Sequence, residues 1–467
     1  MSGEPTGGGR VVVIGGGLAG ISAALACAQA GAEVTLLEAR GRLGGAAYSF
    51  SRGELTVDNG QHVFLRCCTA YRELVEELGA TELVTLQPRL DVPVLAPGGR
   101  LGHLRRSGLR APLHLAASLL RYPYLGIRER LVLAWAMQRL RAVDVDDPAN
   151  DAVPFGDWLR RHRQSRRAVE TIWELIVRPT VNLTVDDASL AQAAQVFQVG
   201  LLSDAAAGDI GWAVAPLGEI HDRAARAALE RAGVSVHLAS TAQALSRVMV
   251  AGGPGRGRLS FQIDASDGFS GAADAVVVAL PPAQAARLLP ANNGLAPDFA
   301  ERLGASPIIN LHVVYDRRVL EHPFATGVDS PVQWIFDRTA GSGLADGQYL
   351  AVSLSAADDE LHTTAEDLRG RYLPALADLL PAAREATVRE FFVTREHSAT
   401  FRAAPGARAW RPPACTQLPG LILAGAWTDT GWPATMEGAV RSGQTAAREA
   451  LAAIPSWRRS PHAVVEV

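Results

Sequence analysis

A short apolar strand, a glycine turn and a helix of small residues begin the patterned part of this chain. Val11-Val12-Val13-Ile14 is followed by Gly15-Gly16-Gly17-Leu18-Ala19-Gly20 and a run of alanines. Gly15 permits a tight turn, Gly17 lets a phosphate approach the backbone, and Gly20 lets the helix pack close to the strand. The first helical residues, Leu18 and Ala19, offer N–H groups to an anion. The pattern predicts the first half of a βαβ unit.

A second strand and an acidic residue complete this unit. The strand Glu33-Val34-Thr35-Leu36-Leu37 ends at Glu38, 23 residues after Gly15. A carboxylate at this position can accept both hydroxyls of an adenosine ribose. The two strands, the spacing between the glycine turn and the acid, and the acid itself together predict dinucleotide binding. The alternative is a glycine-rich turn in another kind of parallel sheet.

The loop after Glu38 returns the chain over the predicted cofactor. Arginine supplies fixed donors to phosphate, and paired glycines allow close backbone approach. Alone, this segment is typical of a plain loop, but joined to the glycine turn it indicates FAD rather than NAD. The candidate cofactor contacts in the loop are Ala39, Arg40, Arg42, Gly44 and Gly45.

A second glycine-containing segment lies near the C-terminus. The buried strand Leu421-Ile422-Leu423-Ala424 ends at Gly425, and Pro433 precedes a helix predicted from about Ala434 to Ala453. A helix N-terminus stabilises the negative charge that a reduced flavin carries over N1 and C2=O. An ordinary capped helix is the alternative. The predicted contacts here are Gly425, Trp432, Ala434, Thr435 and Met436.

Composition restricts the class of protein. The 467 residues are 48% hydrophobic with a formal net charge of −3, which suits two or three domains and argues against a general nucleic-acid binder. The four cysteines show no metal spacing and favour a reduced, intracellular compartment. No run reaches the ~18 apolar residues of a spanning helix, and residues 1–10 lack the apolar core of a signal peptide. The chain has no lysine, so no lysine serves as Schiff-base former or general base.

The three cofactor segments together resemble the flavin-containing amine oxidase and phytoene desaturase superfamily. The resemblance covers most of the chain and is weak between residues 100 and 200. Three further segments look like its squalene-associated branch of FAD-dependent desaturases: Val57 to Phe64, Asp274 to Ala286, and Trp432 to Gly443. The resemblance implies an FAD-dependent reduction of hydroxysqualene to squalene, with loss of water, on a bacterial route to hopanoids. It also implies cofactor contacts at Gly60, Gln61, His62 and Ala242.

Two residues depart from the family pattern. Many relatives carry arginine after the paired glycines, where this chain has Ala46, and aspartate after the last strand's glycine, where it has Ala426. Both changes remove polar FAD contacts, and Asp429 or a water is expected to compensate. Amine oxidases commonly place a lysine near flavin N5, and this chain has none.

The group that activates the leaving hydroxyl is a separate question, because hydroxide leaves an allylic carbon poorly. His62 is the first candidate, since histidine can donate a proton near neutrality, and Asp58 and Gln61 lie close in sequence. A structural hydrogen bond from His62 to flavin or backbone is the alternative. Asp204 and Asp209, before Trp212, are the next candidates, with exposed loop acids as their alternative.

The insert at residues 100–141 is rich in arginine. It contains nine arginines against one acid, Glu129, interleaved with leucine, tyrosine and tryptophan. This pattern is typical of a helix lying on an anionic membrane surface, from which a C30 hydrocarbon substrate can be drawn. A helical substrate domain with solvated arginines is the alternative. The expected location is the cytoplasm, with peripheral attachment to the inner face of the cell membrane.

The predicted fold is α/β (α+β overall), with a doubly wound FAD domain and an inserted substrate domain of mixed sheet and helices. The FAD domain is assigned to residues 1–90, 205–285 and 405–455, the substrate domain to 91–204 and 286–404, and a tail to 456–467. A carotenoid or phytoene-type desaturase, an amine oxidase and a non-catalytic lipid-binding protein are alternative functions. The predicted partners are a long-chain isoprenoid and an unknown electron donor, with no metal and no nucleic acid.

Overall fold

The computed structural model of the protein describes residues 9–251 and 257–454. The expectations for the first eight residues and for the tail at 456–467 concern residues outside these ranges. Within the described ranges, no helix is both long and apolar enough to cross a membrane.

A five-stranded parallel sheet, here called the cofactor sheet, is formed by segments far apart in sequence. In spatial order its strands are Ser235–Leu238, Glu33–Glu38, Arg10–Ile14, Ala275–Val278 and Leu421–Leu423. Val11 and Val13 face a cluster that includes the helices Leu18–Gln29 and Met436–Ala453. Val12 and Ile14 face the opposite cluster. That side is covered by three antiparallel strands, Ala242–Ala251, Gly257–Ala265 and Ser270–Ala273.

A seven-stranded mixed sheet, here called the substrate sheet, forms the second body of the fold. Its order is Val388–Thr400, Ser306–Tyr315, Gln348–Ser355, Trp334–Asp337, Phe324–Gly327, Asp91–Ala96 and Arg100–Arg105. The helix Ala365–Leu379 buries one apolar stripe, with Leu368, Tyr372 and Leu376, against it. The mixed sheet confirms the predicted character of the substrate region.

Helices occupy most of residues 113–202. Their bounds are Ala116–Arg121, Ile127–Leu140, Pro148–Asp151, Phe155–Arg161, Arg166–Ala168, Glu174–Val181 and Leu190–Phe197. Wider π turns at Val169–Trp173 and Gln198–Leu202 join or extend them. Buried aromatic rings of Phe155, Trp173 and Phe197 contact one another at the centre of this region.

Smaller elements connect the two sheets. Ser49–Arg52 pairs with Leu55–Asp58, and Val63–Leu65 and Val84–Leu86 flank Ile210–Ala213. The remaining helices are Thr69–Glu77, Glu219–Ala224 continuing as Ala225–Arg231, Pro282–Leu288, Phe299–Leu303 and Thr339–Ser342. Short 3₁₀ turns lie at Thr81–Leu83, Leu113–Leu115, Pro381–Arg384 and Ala407–Trp410. The segment Asp58 to Leu65 therefore lies where cofactor and substrate regions meet.

Candidate cofactor and substrate site

The glycine turn has the geometry that its sequence predicts. Gly15 has a φ of +111°, and a Cβ there would lie 2.4 Å from the carbonyl oxygen of Ala279. A Cβ on Gly20 would lie 1.8 Å from the oxygen of Gly15. At Gly17 the nearest atom to such a Cβ is the Cα of Gly45, 3.7 Å away. Gly15 and Gly20 close the turn, while Gly17 leaves room for a ligand.

The helix that follows this turn presents free donors. Its N-cap, Gly17, has no capping side chain, and the first turn contains no acidic residue. Among the described residues, no acceptor faces the N–H groups of Leu18 and Ala19, although both residues are buried. A buried helix N-terminus with free N–H groups is an anion site, which suits a pyrophosphate.

Glu38 lies at the carboxyl end of the second strand and is buried. Its Oε2 accepts a hydrogen bond from the N–H of Gly16 at 2.6 Å, and its Oε1 accepts one from the N–H of Arg40 at 2.8 Å. Each oxygen keeps a lone pair, because a carboxylate has about four acceptor sites. The two backbone bonds fix the carboxylate beside the glycine turn, where it can still accept ribose hydroxyls.

The loop at residues 39–45 returns to the glycine turn. The N–H of Gly44 donates to the oxygen of Gly16 at 2.9 Å, and a Cβ on Gly45 would lie 2.8 Å from the Cα of Gly17. The Arg42 guanidinium lies 3.5 Å from the Tyr48 ring centroid and donates to the Leu43 oxygen at 3.2 Å. The paired glycines thus contact the phosphate turn, whereas Arg42 is held by Tyr48. The remaining predicted contacts of this loop, Ala39 and Arg40, are exposed.

Ala242 lies on the far side of the second strand's end. The N–H of Ser240, two residues earlier, donates to the oxygen of Glu38 at 2.9 Å. Ala242 itself begins the first antiparallel strand and is half-buried. The structure therefore brings Ala242 to the same end of the cofactor sheet as Glu38.

The C-terminal helix begins two residues later than the sequence suggested. It starts at Met436, and the Thr435 hydroxyl caps it by accepting from the N–H of Gly438 at 3.1 Å. Pro433 therefore precedes the cap and does not set the first turn, because Thr435 supplies the capping oxygen. Among the described residues, no acceptor faces the N–H of Met436. Trp432 and Ala434 lie half-buried at this helix tip, and Gly425, with φ +140°, ends the preceding strand.

A buried network that sequence reasoning missed fixes this tip. The Glu437 carboxylate accepts from the Tyr71 N–H at 2.8 Å and from Arg441 Nε at 2.6 Å. The Tyr71 hydroxyl lies 2.9 Å from His221 Nε2, and His221 Nδ1 lies 3.1 Å from the Ala47 oxygen. The network links the C-terminal helix to the loop beside the paired glycines. Its residues come from four distant segments, so no local motif reveals it.

Arg411, also missed, lies next to Ala426. Its guanidinium is buried and donates to the Ala426 oxygen at 3.1 Å and the Thr428 oxygen at 2.6 Å. Its Nη1 is buried and has no partner among the described residues. Burial lowers the pKa of Arg411 to about 10, so it stays charged near neutral pH. Asp429 is exposed and faces Arg408, so the expectation that Asp429 compensates for Ala426 is replaced by Arg411.

Asp58 is a structural anchor in this arrangement. Its Oδ2 pairs with Arg338 Nη2 at 2.5 Å, and its Oδ1 accepts from Ser49 Oγ at 2.6 Å and the Leu217 N–H at 3.0 Å. No hydrogen bond joins Asp58 to His62 in the described part of the chain. Asp58 was predicted as a catalytic residue together with His62, and the structure shows its carboxylate occupied by Arg338, Ser49 and the N–H of Leu217.

Three side chains around Gly60 have buried atoms without partners among the described residues. These atoms are Gln61 Nε2, His62 Nε2 and Asn310 Oδ1. A Cβ on Gly60 would lie 3.2 Å from His62 Nε2 and 3.8 Å from Asn310 Nδ2, so the groups are close neighbours. Asn310 Nδ2 donates to the Asn59 oxygen at 3.1 Å, which turns its Oδ1 away. Buried polar atoms are normally paired, so this cluster suits a polar ligand.

The charge of His62 differs from the sequence expectation. Burial and the neighbouring Arg338 lower the pKa of His62 to about 4. The ring is therefore neutral near pH 7, and an imidazolium proton is not its resting contribution. A neutral imidazole still has one donor and one acceptor nitrogen. The structure thus supports a hydrogen-bonding or proton-relay role for His62.

The two alternative candidate acids, Asp204 and Asp209, lie in different environments. Asp204 is exposed, and its carboxylate accepts from the Ala206 N–H at 2.7 Å. Asp209 is fully buried, which corrects the expectation of an exposed loop acid. It pairs with Arg106 at 2.5 Å and Arg66 at 2.9 Å and accepts from the Leu90 N–H at 2.7 Å. Because these partners occupy Asp209 and solvent surrounds Asp204, neither residue joins the cluster at Gly60.

Aromatic rings separate the cluster at Gly60 from a larger cavity. A narrow gap is lined by Gln61, His62, Trp212, Phe336 and Arg338. Phe336 stacks against Trp334 with a ring separation of 6.1 Å and an angle of 17°. Trp334 in turn lines a cavity of about 310 Å³, whose other walls are both apolar, with Leu175 and Val328, and charged, with Glu174 and Arg178. The stacked rings therefore lie between the polar gap and this cavity.

Histidines with lowered pKa values predict an acid-sensitive fold. Burial lowers the pKa values of His62 and His221 to about 4 and of His312 to about 3. Between pH 6.5 and 4 the unfolded chain binds more protons at these residues than the folded chain, so the free energy of unfolding falls as pH falls. In urea titrations at pH 6.5, 5.5 and 4.5, His221→Gln is expected to lower the slope by up to about 1.4 kcal/mol per pH unit. The exposed His362→Gln serves as the control, and an equal slope in both variants contradicts the prediction.

The residues present fit FAD. The free N–H groups at the first helix suit a pyrophosphate, Glu38 suits an adenosine ribose, and the free N–H of Met436 suits the pyrimidine end of a flavin. The unpaired Arg411 Nη1 adds a cation at the position where the sequence lost a polar contact. The two sets of donors belong to strands of one sheet, so one extended dinucleotide can reach both.

Comparison with known families agrees with this fit. The profile described as flavin containing amine oxidoreductase matches residues 18–451. Hydroxysqualene dehydroxylase of Rhodopseudomonas palustris is 30% identical over 449 residues, covering 95% of this chain and 98% of the relative. The Sinorhizobium fredii protein of the same name is 28% identical, covering 95% and 98%. Zeta-carotene desaturase of Synechocystis is 25% identical over 482 residues, covering 95% and 97%.

Solved structures share the fold. Wild-type putrescine oxidase bound to putrescine superposes with a TM-score of 0.69 at 19% identity, covering 95% of this chain and 99% of the other. Cyclohexylamine oxidase from Brevibacterium oxydans gives a TM-score of 0.67 at 20% identity, covering 97% and 100%. At this level of identity the likeness concerns architecture alone, and it confirms the predicted amine oxidase-like α/β fold.

Proposed function

Because this chain belongs to the flavin-containing amine oxidoreductase family and is an FAD-dependent oxidoreductase, we propose that it reduces hydroxysqualene to squalene with loss of water. Two relatives named hydroxysqualene dehydroxylase, aligned over nearly the whole chain, support this substrate. The observation that carries the proposal is the cluster of unpaired, neutral polar groups at Gln61, His62 and Asn310 beside an aromatic wall. Such a cluster suits an uncharged hydroxyl on a hydrocarbon.

The proposed reaction replaces a carbon–oxygen bond by a carbon–hydrogen bond. When bound in its reduced form, FAD would supply the hydride that this carbon needs. The hydroxyl leaves with a proton as water, so the charges balance. Gln61 and His62 hold the departing oxygen, and the neutral His62 ring relays the proton from solvent by donating at one nitrogen and accepting at the other. Asp58 acts through Arg338 as a positioning residue, since its carboxylate contacts that guanidinium.

Aromatic residues beside the polar gap contact the hydrocarbon part of the substrate in this proposal. Trp212 and Phe336 line the gap, and Phe324 contacts Trp212 with a ring separation of 5.4 Å. Apolar rings attract an isoprenoid chain and stabilise positive charge on an allylic carbon through their faces. The cavity beyond Trp334 also has charged walls, so in this proposal the arm of the substrate lies along the aromatic rings themselves.

We also propose where the protein works and with whom. A C30 isoprenoid partitions into lipid, so a cytoplasmic enzyme must meet its substrate at the inner face of the cell membrane. The flavin must be reduced by an electron donor, which is the second partner in this proposal. Squalene formed in this way feeds hopanoid synthesis, the route implied by the resemblance in sequence.

A carotenoid-type desaturase is the second candidate function. The Synechocystis zeta-carotene desaturase aligns with 95% of this chain, so the same cofactor architecture serves oxidation of a polyene precursor. An amine oxidase is disfavoured by the absence of lysine, the residue that such enzymes place near flavin N5. Membership in a family of oxidoreductases sets aside the non-catalytic lipid carrier.

Product analysis tests the proposal. Anaerobic holoprotein, reduced with dithionite, is expected to convert hydroxysqualene to squalene, detected by gas chromatography with mass spectrometry. His62→Phe is expected to lower kcat by roughly a hundredfold or more while FAD content stays constant, because a positioned proton-transfer group contributes about that much. The exposed His362→Phe is the matched control and should keep full activity.

Two results would contradict this function. One is the absence of squalene together with dehydrogenation of phytoene or zeta-carotene by the oxidised holoprotein, which supports the desaturase. The other is hydrogen peroxide production with amines, which supports the amine oxidase. An unchanged kcat in His62→Phe removes the relay role and leaves the overall reaction to the product assay.

A further inference from the structure

Exposed apolar side chains concentrate in one part of the fold. Of the eleven large hydrophobic residues that are exposed in the described ranges, seven lie between residues 101 and 135. They are Leu101, Leu109, Leu113, Leu120, Ile127, Leu131 and Trp135. Burying such side chains in water-free surroundings is favourable, so a contiguous exposed group marks an interaction site.

The helix Ile127–Leu140 carries the centre of this group. Its inner face buries Leu133, Ala136 and Leu140. Its outer face presents Ile127, Leu131 and Trp135, which are 76%, 67% and 49% exposed. At about 100° per residue these three side chains fall within an arc of roughly 80°, opposite the buried face. The helix therefore has two apolar faces, and the protein core covers one of them.

Arginines flank the outer apolar face. At the same helical spacing, the exposed Arg128 and Arg139 lie along one edge of the apolar arc. Arg121, at the end of the neighbouring helix, and Arg110, in the preceding loop, are also exposed. None of these four guanidiniums has a carboxylate partner among the residues described. No carboxylate in the described part of the chain therefore compensates their charge.

Two arginines of the insert have other roles than the sequence suggested. Arg105 pairs with Asp91 at 2.7 Å, and Arg106 is mostly buried against Asp209. Both side chains hold the hairpin at residues 91–105. The structure thus separates these anchoring arginines from the free ones.

A contact between neighbouring helices extends the outer face. The Arg130 guanidinium donates to the Leu120 oxygen and, at 2.7 Å, to the Tyr122 oxygen. This joins the end of Ala116–Arg121 to the first turn of Ile127–Leu140. The neighbouring helix carries Leu120, which is 67% exposed.

We propose that this surface is a docking face for an anionic lipid bilayer. The docking face is defined by Leu113, Leu120, Ile127, Leu131 and Trp135 with Arg110, Arg121, Arg128 and Arg139. Its apolar side chains enter the acyl boundary, Trp135 lies at headgroup level, and the arginines pair with lipid phosphates. A second copy of the chain is a poorer occupant, because a two-fold contact brings the same arginines together. The identity of the drawn substrate rests on the proposed function, whereas the lipid contact does not.

Vesicle co-sedimentation of the holoprotein tests the docking face. Vesicles of equal parts phosphatidylglycerol and phosphatidylcholine are expected to bind wild type more tightly than phosphatidylcholine alone. Ile127→Ser with Leu131→Ser should weaken binding to both by roughly tenfold or more. Arg128→Ser with Arg139→Ser should weaken binding to the anionic vesicles alone by roughly tenfold, and added salt should remove this difference.

The matched control is Met249→Ser with Leu259→Ser. These side chains are 66% and 50% exposed and face each other across two antiparallel strands outside the docking face. Unchanged vesicle binding in the Ile127/Leu131 variant overturns the proposal, as does an equal loss in the control. A change of oligomeric state in size-exclusion chromatography, with vesicle binding intact, also overturns it and assigns the face to a second copy.

The vesicle and product assays separate the two proposals. Vesicles without substrate report on the docking face alone. Dispersed hydroxysqualene in detergent reports on the reaction alone. Vesicle binding without squalene formation therefore contradicts the proposed function and supports the docking face. Squalene formation without vesicle binding supports the proposed function and contradicts the docking face.

Discussion

Gly20→Ala is expected to weaken FAD binding by roughly tenfold or more. The new Cβ would lie 1.8 Å from the carbonyl oxygen of Gly15, so the first helix must move away from the first strand. The N–H groups of Leu18 and Ala19 move with it and no longer face the pyrophosphate position. Overpacking of this kind costs at least 1–3 kcal/mol, which predicts FAD binding weaker by roughly tenfold or more. The flavin absorbance of purified protein, per mole of chain, measures the loss.

Two further substitutions in the same region distinguish cofactor loss from misfolding. Gly17→Ala places a Cβ 3.7 Å from its nearest atom, so the chain should fold normally while the methyl group blocks the approach of the pyrophosphate. Gly41→Ala meets no atom within 4 Å and should keep full FAD content. Circular dichroism checks the fold of all three variants. Normal FAD content in Gly20→Ala and Gly17→Ala would refute the assigned phosphate site.

Asp209→Ala is expected to destabilise the protein by about 3 kcal/mol, because it leaves the partly buried Arg66 and Arg106 without their carboxylate. The N–H of Leu90 also loses its acceptor. Urea unfolding of the holoprotein measures the change. Asp204→Ala, in the same loop, is the matched control and should fall within about 0.5 kcal/mol of wild type, because its carboxylate is exposed.

The stability that Asp209 contributes through its two arginine partners decreases as pH falls. Burial raises the pKa of Asp209, but Arg106 and Arg66 outweigh it and hold the pKa below the ordinary value of 3.8. The carboxylate therefore stabilises the fold above pH 3.8 and loses this contribution as pH falls further. Equal free energies of unfolding for Asp209→Ala and wild type at neutral pH would show that the arginines are satisfied without it.

Local backbone requirements made the cofactor half predictable. Gly15, Gly17 and Gly20 are predicted from a turn, a ligand approach and a close helix contact within ten residues of chain. The structure shows the turn and the close contact, and it leaves space at Gly17. Continuous apolar runs also located the buried strands at 275–278 and 421–423. The strand Val388–Thr400 was not predicted, because it is half-exposed along much of its length and mixes charged with apolar residues.

The candidate site was predictable only where its residues lie in one segment. Gln61 and His62 follow a recognisable motif, but Arg338 and Asn310 reach it from the substrate region. Arg338 alters the expected chemistry of this motif in two ways. Its guanidinium pairs with the Asp58 carboxylate, and its charge helps to lower the pKa of His62, so that the ring is neutral. Residues separated by more than two hundred positions leave no periodic or spacing signal in a single sequence.

The amino-acid sequence alone determined the FAD turn, the acid at the ribose position, the exclusion of lysine chemistry and the arginine-rich character of the insert. These depend on residue type and short-range spacing, which the chain carries locally. Tertiary structure decided which charges are free. It assigned Arg106 and Asp209 to a buried pair, left Arg128 and Arg139 without carboxylate partners among the described residues, and lowered the pKa of His62. Burial and charge pairing depend on distances through space, so only the folded chain sets them.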